Sequence, residues 1–211
     1  MGGSGRASVP VTVVDYGAGN LVSIEQALVA AGADVRRAAH AEEIGDPALL
    51  VVPGVGASAP AMERLRAGGF VPAILDWVAA DRPFLGICLG LQLLFERSDE
   101  DGAQTLGLLR GHTVRLEAAP TLPHIGWNQV ERRHEHAAFD GIAPDADFYF
   151  VHSYAGAPAD RDVILAETEH GARFTAAVAR GNLLGVQFHP ERSGDDGLRL
   201  VANVVRLAGA A

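Results

Sequence analysis

The segment Arg82-Pro83-Phe84-Leu85-Gly86-Ile87-Cys88-Leu89-Gly90-Leu91-Gln92-Leu93-Leu94-Phe95-Glu96 constrains this chain more than any other. Phe84, Leu85 and Ile87 form a short apolar run behind a proline, the pattern of a buried strand. Leu91, Leu94 and Phe95 then recur at helical spacing. A strand that passes into a helix in so few residues must turn sharply, and Cys88 stands at the turn. Glycines two residues before and two residues after it give Gly-x-Cys-x-Gly, the thiol counterpart of the Gly-x-Ser-x-Gly nucleophile elbow. A Cβ at position 86 or 90 would meet neighbouring backbone. The helix after Cys88 is expected to aim its free N–H groups and positive dipole end at the sulfur, which favours thiolate.

A lone cysteine is more often a small core residue than a nucleophile. A second stretch, Gly185-Val186-Gln187-Phe188-His189-Pro190-Glu191, supplies what a nucleophilic thiol needs. His189 can serve as base at the end of an apolar strand, and Glu191 can orient its imidazole.

Composition narrows the chemistry further. All 17 basic residues are arginine. Without lysine there is no intact Walker A site, no pyridoxal or aldolase Schiff base and no Ser-x-x-Lys hydrolase. The net charge of -9 gives no electrostatic case for nucleic acid or an anionic membrane. No apolar run reaches the roughly 20 residues of a membrane span. The residues up to about position 9 have no signal-peptide core and are expected to form a flexible tail, leaving 10–211 as one domain. A single cysteine permits no intrachain disulfide, so a reducing, cytoplasmic setting is expected.

Along the chain, Val11 to Val14, Asp34 to Arg37, Leu49 to Val52 and the elbow strand alternate with helical patterns around Leu21 to Ala31, Met62 and Leu65, and Val71 to Val78. This order implies an α/β fold with a mostly parallel central sheet flanked by helices. The working edge of such a sheet lies at the carboxyl ends of its strands, where Pro53-Gly54-Val55-Gly56 and Cys88 both fall. Gly17-Ala18-Gly19-Asn20 suggests a dinucleotide loop, but the third glycine position is Val22, which rejects that fingerprint. After about position 107, shorter alternating stretches imply additional antiparallel strands. They run at 112–116, 128–132, 147–151, 163–167, 176–179 and 183–188. A helix over 197–207 closes the chain. His134-x-His136 has metal-like spacing, but it sits in a polar run from Glu131 to His136 with no third ligand evident, so a solvated turn is expected rather than a metal site. His152-Ser153 could pass for a nucleophile pair, but neighbours on a strand face opposite ways.

Together, Gly86-Ile87-Cys88-Leu89-Gly90-Leu91-Gln92 and Phe188-His189-Pro190-Glu191 resemble the class I, or triad, glutamine amidotransferases. Three more stretches are similar to one branch of that family, the glutaminase subunits of imidazole glycerol phosphate synthases. They are Asp15-Tyr16-Gly17-Ala18-Gly19-Asn20, Pro123-His124-Ile125-Gly126-Trp127-Asn128 and Tyr149-Phe150-Val151-His152-Ser153-Tyr154, which act alongside Pro53-Gly54-Val55-Gly56. The likeness runs from about Val11 to the last helix.

The resemblance implies hydrolysis of glutamine to glutamate and ammonia through a thioester on Cys88, with His189 and Glu191 completing the triad and no cofactor. The tetrahedral oxyanions need N–H donors. Leu89, at the start of the elbow helix, is one candidate, and the resemblance gives Val55 as the other. Glycines on both sides of Val55 free its peptide to rotate, so the loop is expected to act as a switch. The resemblance also places Gly54, Gln92, Ser153 and Tyr154 around the substrate, with Glu100 a candidate for its ammonium group. It implies a (β/α)8-barrel cyclase as heterodimer partner, with Asn20, Trp127, Asn128 and Arg192 at the interface. Arg192 stands where lysine is usual, which changes the geometry of any ion pair. The alternatives are the glutaminase of another synthase, of the pyridoxal phosphate type, a free-standing γ-glutamyl thiol hydrolase, and a catalytically dead binding module. The intact Cys88, His189 and Glu191 argue against the last.

Overall fold

In the computed structural model, which describes residues 8–17, 19 and 21–211, the first half of the chain alternates strand and helix. The strands are β1 (Val9–Val14), β2 (Ala33–Ala38), β3 (Leu49–Gly54) and β4 (Phe84–Cys88); the helices are α1 (Val22–Ala30), α2 (Ser58–Ala67), α3 (Phe70–Ala79) and the short α4 (Leu89–Gln92). Strands dominate the second half: β5 (Arg97–Ser98), β6 (Gly111–Arg115), β7 (His124–Gln129), β8 (Glu131–Arg132), β9 (Asp147–His152), β10 (Tyr154–Pro158), β11 (Ile164–His170), β12 (Ala172–Arg180) and β13 (Leu183–Val186). Helix α5 (Gly194–Ala208) follows.

The main sheet has the order β2-β1-β3-β4-β13-β12-β11-β8. From β2 to β13 all pairings are parallel; β12, β11 and β8 extend the sheet antiparallel. The central strands β3 and β4 are buried at every residue, as expected where helices cover both faces. One core packs Ile24 and Leu28 of α1 and Leu200, Val201 and Val205 of α5 against the sheet. The other packs Met62 and Leu65 of α2 and Ile74 and Trp77 of α3 against the opposite face. Two small sheets, β10-β6-β5 and β7-β9, stand beside this frame.

Four expectations are revised. Val9 pairs with Ala33 in β1, so the strand begins inside the expected tail; residues 1–7 lie outside the described residues. The elbow helix is a single turn. Its continuation is stopped because the carbonyls of Leu93, Leu94 and Phe95 accept the amides of Leu106, Leu109 and Gly107 from a returning loop. The expected strand over 128–132 is two strands. Val130 is buried and its N–H bonds to the Ala146 carbonyl, so the chain leaves the pairing with β9 and joins β11. His136 is not a solvated turn residue: its Nδ1 accepts the Ala138 amide and caps a 3-10 turn.

Candidate active site

Cys88 ends β4 at φ 53, ψ -107, a left-handed conformation for a residue with a side chain. Such backbone is held only where the surroundings over-determine it. They do so here through the two glycines. A Cβ on Gly90 would collide with the Val52 carbonyl oxygen, and one on Gly86 would lie 2.7 Å from the Gly90 carbonyl oxygen. The turn leaves the thiol 5% exposed.

His189 follows β13, the strand that pairs with β4, so the sheet itself brings the imidazole to the Cys88 end of its neighbour. Its N–H bonds to the Tyr149 carbonyl at 2.9 Å, and its carbonyl accepts Ser193 Oγ at 2.6 Å. The Nδ1 proton is donated to Glu191 Oε1 at 2.8 Å. Nε2 is buried with no hydrogen-bond partner among the described residues, which leaves it as the working face of the ring. Burial pushes the imidazole towards the neutral form, but the interactions with Cys88 and Glu191 outweigh it and lift the pKa to about 10. At neutral pH the site is therefore set up as an imidazolium between a sulfur and a carboxylate.

Gln187, two residues before His189, was missed by sequence reasoning, although it lies inside the motif that drew attention to His189. Its Nε2 donates towards Cys88 Sγ at 3.7 Å, and its Oε1 accepts Gln92 Nε2 at 3.1 Å. Gln92 Nε2 also donates to the Tyr154 carbonyl at 2.8 Å. That carbonyl accepts His152 Nδ1–H at 2.8 Å as well. These bonds fix two tautomers. A carbonyl only accepts, so His152 carries its proton on Nδ1 and accepts at Nε2. His124 therefore donates its Nδ1 proton to His152 Nε2 across 3.2 Å, and Asn128 Nδ2 points at His124 Nε2 at 3.5 Å. Both rings are held neutral. Burial lowers His124 to about 4 and His152 to about 3, assisted by neighbouring histidines.

The remaining expected site residues take these places. Gly54 ends β3 directly opposite Cys88. Leu50 N–H bonds to the Pro83 carbonyl, and the two-residue alternation of a parallel ladder carries that pattern forward, aiming the Gly54 carbonyl at the Leu89 amide. Val55 follows, exposed, with Gly56 at φ 93. Gln92 is buried and bonded to the Tyr154 backbone carbonyl, while Tyr154 itself is half-buried. The Ser153 carbonyl accepts Leu116 N–H. Glu100 is exposed near the start of α2, where burial and Asp101 raise its pKa while a hydrogen bond at the Ser58 backbone lowers it. Trp127 is 56% exposed and edge-on to Tyr149, over whose ring Arg192 is stacked at 4.3 Å. Asn128, next along β7, is half-buried, and its side chain turns to the other face of the strand, where Nδ2 donates to the Glu169 carbonyl at 2.7 Å. Asn20 lies outside the described residues.

The pattern of the family Glutamine amidotransferase class-I matches residues 12–206. The chain belongs to that family. Among curated relatives, it is 44% identical over 200 residues to the imidazole glycerol phosphate synthase subunit HisH of Dehalococcoides mccartyi (strain CBDB1), covering 94% of this chain and 97% of the relative. It is 46% identical over 206 residues to the HisH subunit of Moorella thermoacetica (strain ATCC 39073 / JCM 9320), covering 96% and 98%. Solved structures share the fold. PurLQS from Thermotoga maritima aligns with a TM-score of 0.76 at 18% identity, over 95% of this chain and 99% of that one. A glutamine amidotransferase aligns at 0.75 and 23% identity, over 94% and 98%.

Proposed function

We propose that this amidotransferase is the glutaminase subunit of an imidazole glycerol phosphate synthase, with Cys88, His189 and Glu191 as its triad. The observation that carries the triad is the pairing of β13 with β4, which sets a Glu191-bound imidazole with an open Nε2 beside the elbow thiol. The full-length likeness to HisH subunits carries the choice of synthase.

In the first half-reaction Cys88 Sγ, as thiolate, forms a bond to the side-chain amide carbon of glutamine. The carbonyl electrons move onto oxygen. When that oxyanion collapses, the C–N bond breaks, the nitrogen takes the Nε2 proton of His189, and ammonia leaves. In the second, His189 removes a proton from water as the water oxygen bonds to the thioester carbon. Collapse of the second oxyanion breaks the C–S bond and releases glutamate. Glu191 holds the imidazole in place throughout.

The oxyanion donors are the Leu89 and Val55 amides. With the Gly54 carbonyl aimed at the Leu89 amide, the hole is closed. One rotation of the Gly54–Val55 peptide removes the carbonyl and presents the Val55 N–H, which makes that peptide the switch. The partner is a (β/α)8-barrel cyclase, and Trp127, Asn128 and Arg192 form the docking face. Trp127 suits an anchor, being a large ring with a polar edge and more than half exposed. Glu100 and the Ser153–Tyr154 backbone are assigned to the substrate side.

The test is glutamate release by the purified chain, alone and with the cyclase subunit and its nucleotide substrate, beside a Cys88→Ala control. Low release alone, a large rise with the partner and none from the variant are expected. Equal, substantial release with and without partner favours a free-standing thiol hydrolase. Activity surviving Cys88→Ala removes the triad assignment.

A further inference from the structure

Tyr16 lies just beyond the end of β1 and is 7% exposed, yet its hydroxyl has no hydrogen-bond partner among the described residues. A buried, unbonded hydroxyl is costly, and a native structure retains one for a reason. Its location supplies that reason. A Cβ on Gly54 would collide with this oxygen, and the same Cβ would lie 3.2 Å from Leu89 Cβ. The hydroxyl therefore sits against Gly54, in the wedge between the oxyanion loop and the elbow.

The hydroxyl lies on the face of the sheet where a Gly54 side chain would project. In this structure the Gly54 carbonyl is aimed in the plane of the sheet, at the Leu89 amide. Rotation of the Gly54–Val55 peptide carries the carbonyl out of that plane, and on the face occupied by Tyr16 the hydroxyl is the polar group it meets. Rotation without a partner there would leave a buried carbonyl unpaired, which disfavours the rotated state.

We propose that the Tyr16 hydroxyl is a positioning group for the oxyanion hole, donating a hydrogen bond to the Gly54 carbonyl when the Gly54–Val55 peptide turns. The carbonyl then has a partner in both orientations: the Leu89 amide with the hole closed, and Tyr16 with the hole open. The unpaired hydroxyl of the closed state is the strain that rotation relieves. Burial, and then the Cys88 charge, hold the phenol pKa well above its usual value, so the proton it donates is present throughout the working pH range. The proposal rests on the reading of the Gly54–Val55 peptide as a switch.

The variant Tyr16→Phe tests it, because it removes one oxygen and leaves the ring. Glutaminase kinetics are measured with the cyclase subunit and its nucleotide bound, and melting temperature on the chain alone. The partner-stimulated kcat is expected to fall about tenfold, the effect of one lost neutral hydrogen bond, with KM for glutamine within about twofold. Melting temperature is expected to rise by about 2–4 °C, since the unpaired hydroxyl is gone. A purely structural tyrosine would not separate the two readouts in opposite directions. Wild-type stimulated kcat in Tyr16→Phe overturns the Tyr16 role while leaving the switch intact. Absence of stimulation in the unmutated protein removes the switch itself. A lower melting temperature shows the hydroxyl bonded in the closed state and also overturns the proposal. Proximity has its own test: Gly54→Ala should cost more stability in the otherwise unmutated protein than when combined with Tyr16→Phe, and equal costs overturn the placement.

Discussion

Replacing Glu191 with glutamine isolates the charge of the proposed triad from its geometry. The carboxylate accepts the His189 Nδ1 proton at 2.8 Å, and both side chains are almost fully buried. A glutamine carbonyl can accept the same bond, so Glu191→Gln keeps the orientation and removes the charge. The lift of His189 from 6.5 to about 10 is a preference of about 5 kcal/mol for the imidazolium, created jointly by Cys88 and Glu191 against burial. Assigning Glu191 about 2 kcal/mol of it lowers the imidazolium pKa by between one and two units. The alkaline limb of kcat/KM, which reports loss of the proton that the leaving nitrogen needs, should move down from about 10 by that amount. At neutral pH the imidazolium stays protonated in Glu191→Gln, so kcat/KM there should change by no more than about threefold and the loss should appear on the alkaline side. Stability at neutral pH should fall by about the same 2 kcal/mol, because a folded-state pKa held above the unfolded 6.5 contributes stability throughout the range below it, and lowering that pKa removes part of the contribution. The assay is a pH–rate profile of glutamate release from about pH 6 to 11 on the partner-bound enzyme, with melting curves alongside. An alkaline limb unmoved in Glu191→Gln would refute the claim that this carboxylate helps to hold the proton on His189.

Three further outcomes follow from the geometry. Gln187→Met fills the same space without the amide; removing the hydrogen bond at Cys88 Sγ should slow iodoacetamide alkylation at neutral pH about fivefold, while an unchanged rate means the 3.7 Å contact does not stabilise the reactive sulfur. Gly90→Ala places a methyl group against the Val52 carbonyl and should destabilise the fold by about 3 kcal/mol or more in urea titration; a loss below about 1 kcal/mol would show the elbow to be slack. His124 and His152 have folded pKa values of about 4 and about 3, below the unfolded 6.5, so the unfolded chain binds protons first and stability falls as pH drops below 6.5. About 2 kcal/mol per histidine should be lost by about pH 5, read from urea midpoints at that pH and at about pH 7.5, and equal midpoints would mean that the pair is not held neutral.

The parts of this protein whose physics is local can be read along the chain. Gly86 and Gly90 announce a turn too tight for a Cβ, and the structure shows the backbone atoms that forbid one. The run of buried residues in β3 and β4 and the helical spacing of α5 mark a parallel, doubly covered sheet before any contact is known. Cys88 and the His-Pro-Glu segment could be named because a nucleophile and its base are chemically rare in a chain with one cysteine. Where competing partners decide the outcome, only the tertiary structure speaks. The elbow helix stops after one turn because a distant loop takes its carbonyls, and the strand over 128–132 breaks because Val130 bonds to Ala146. Trp127 could be core or surface on pattern alone; pairing of β7 with β9 outside the main sheet exposes it. Gln187, His152 and Tyr16 lie inside stretches that the sequence singles out, but nothing along the chain says what their side chains touch. Their roles come from hydrogen bonds made or left unmade across long stretches of chain, and spacing along the chain does not encode such distances. The elbow at Cys88 was legible because its constraint is steric and lies between Gly86 and Gly90; its surroundings were not, because packing brings them from strands far apart in the chain.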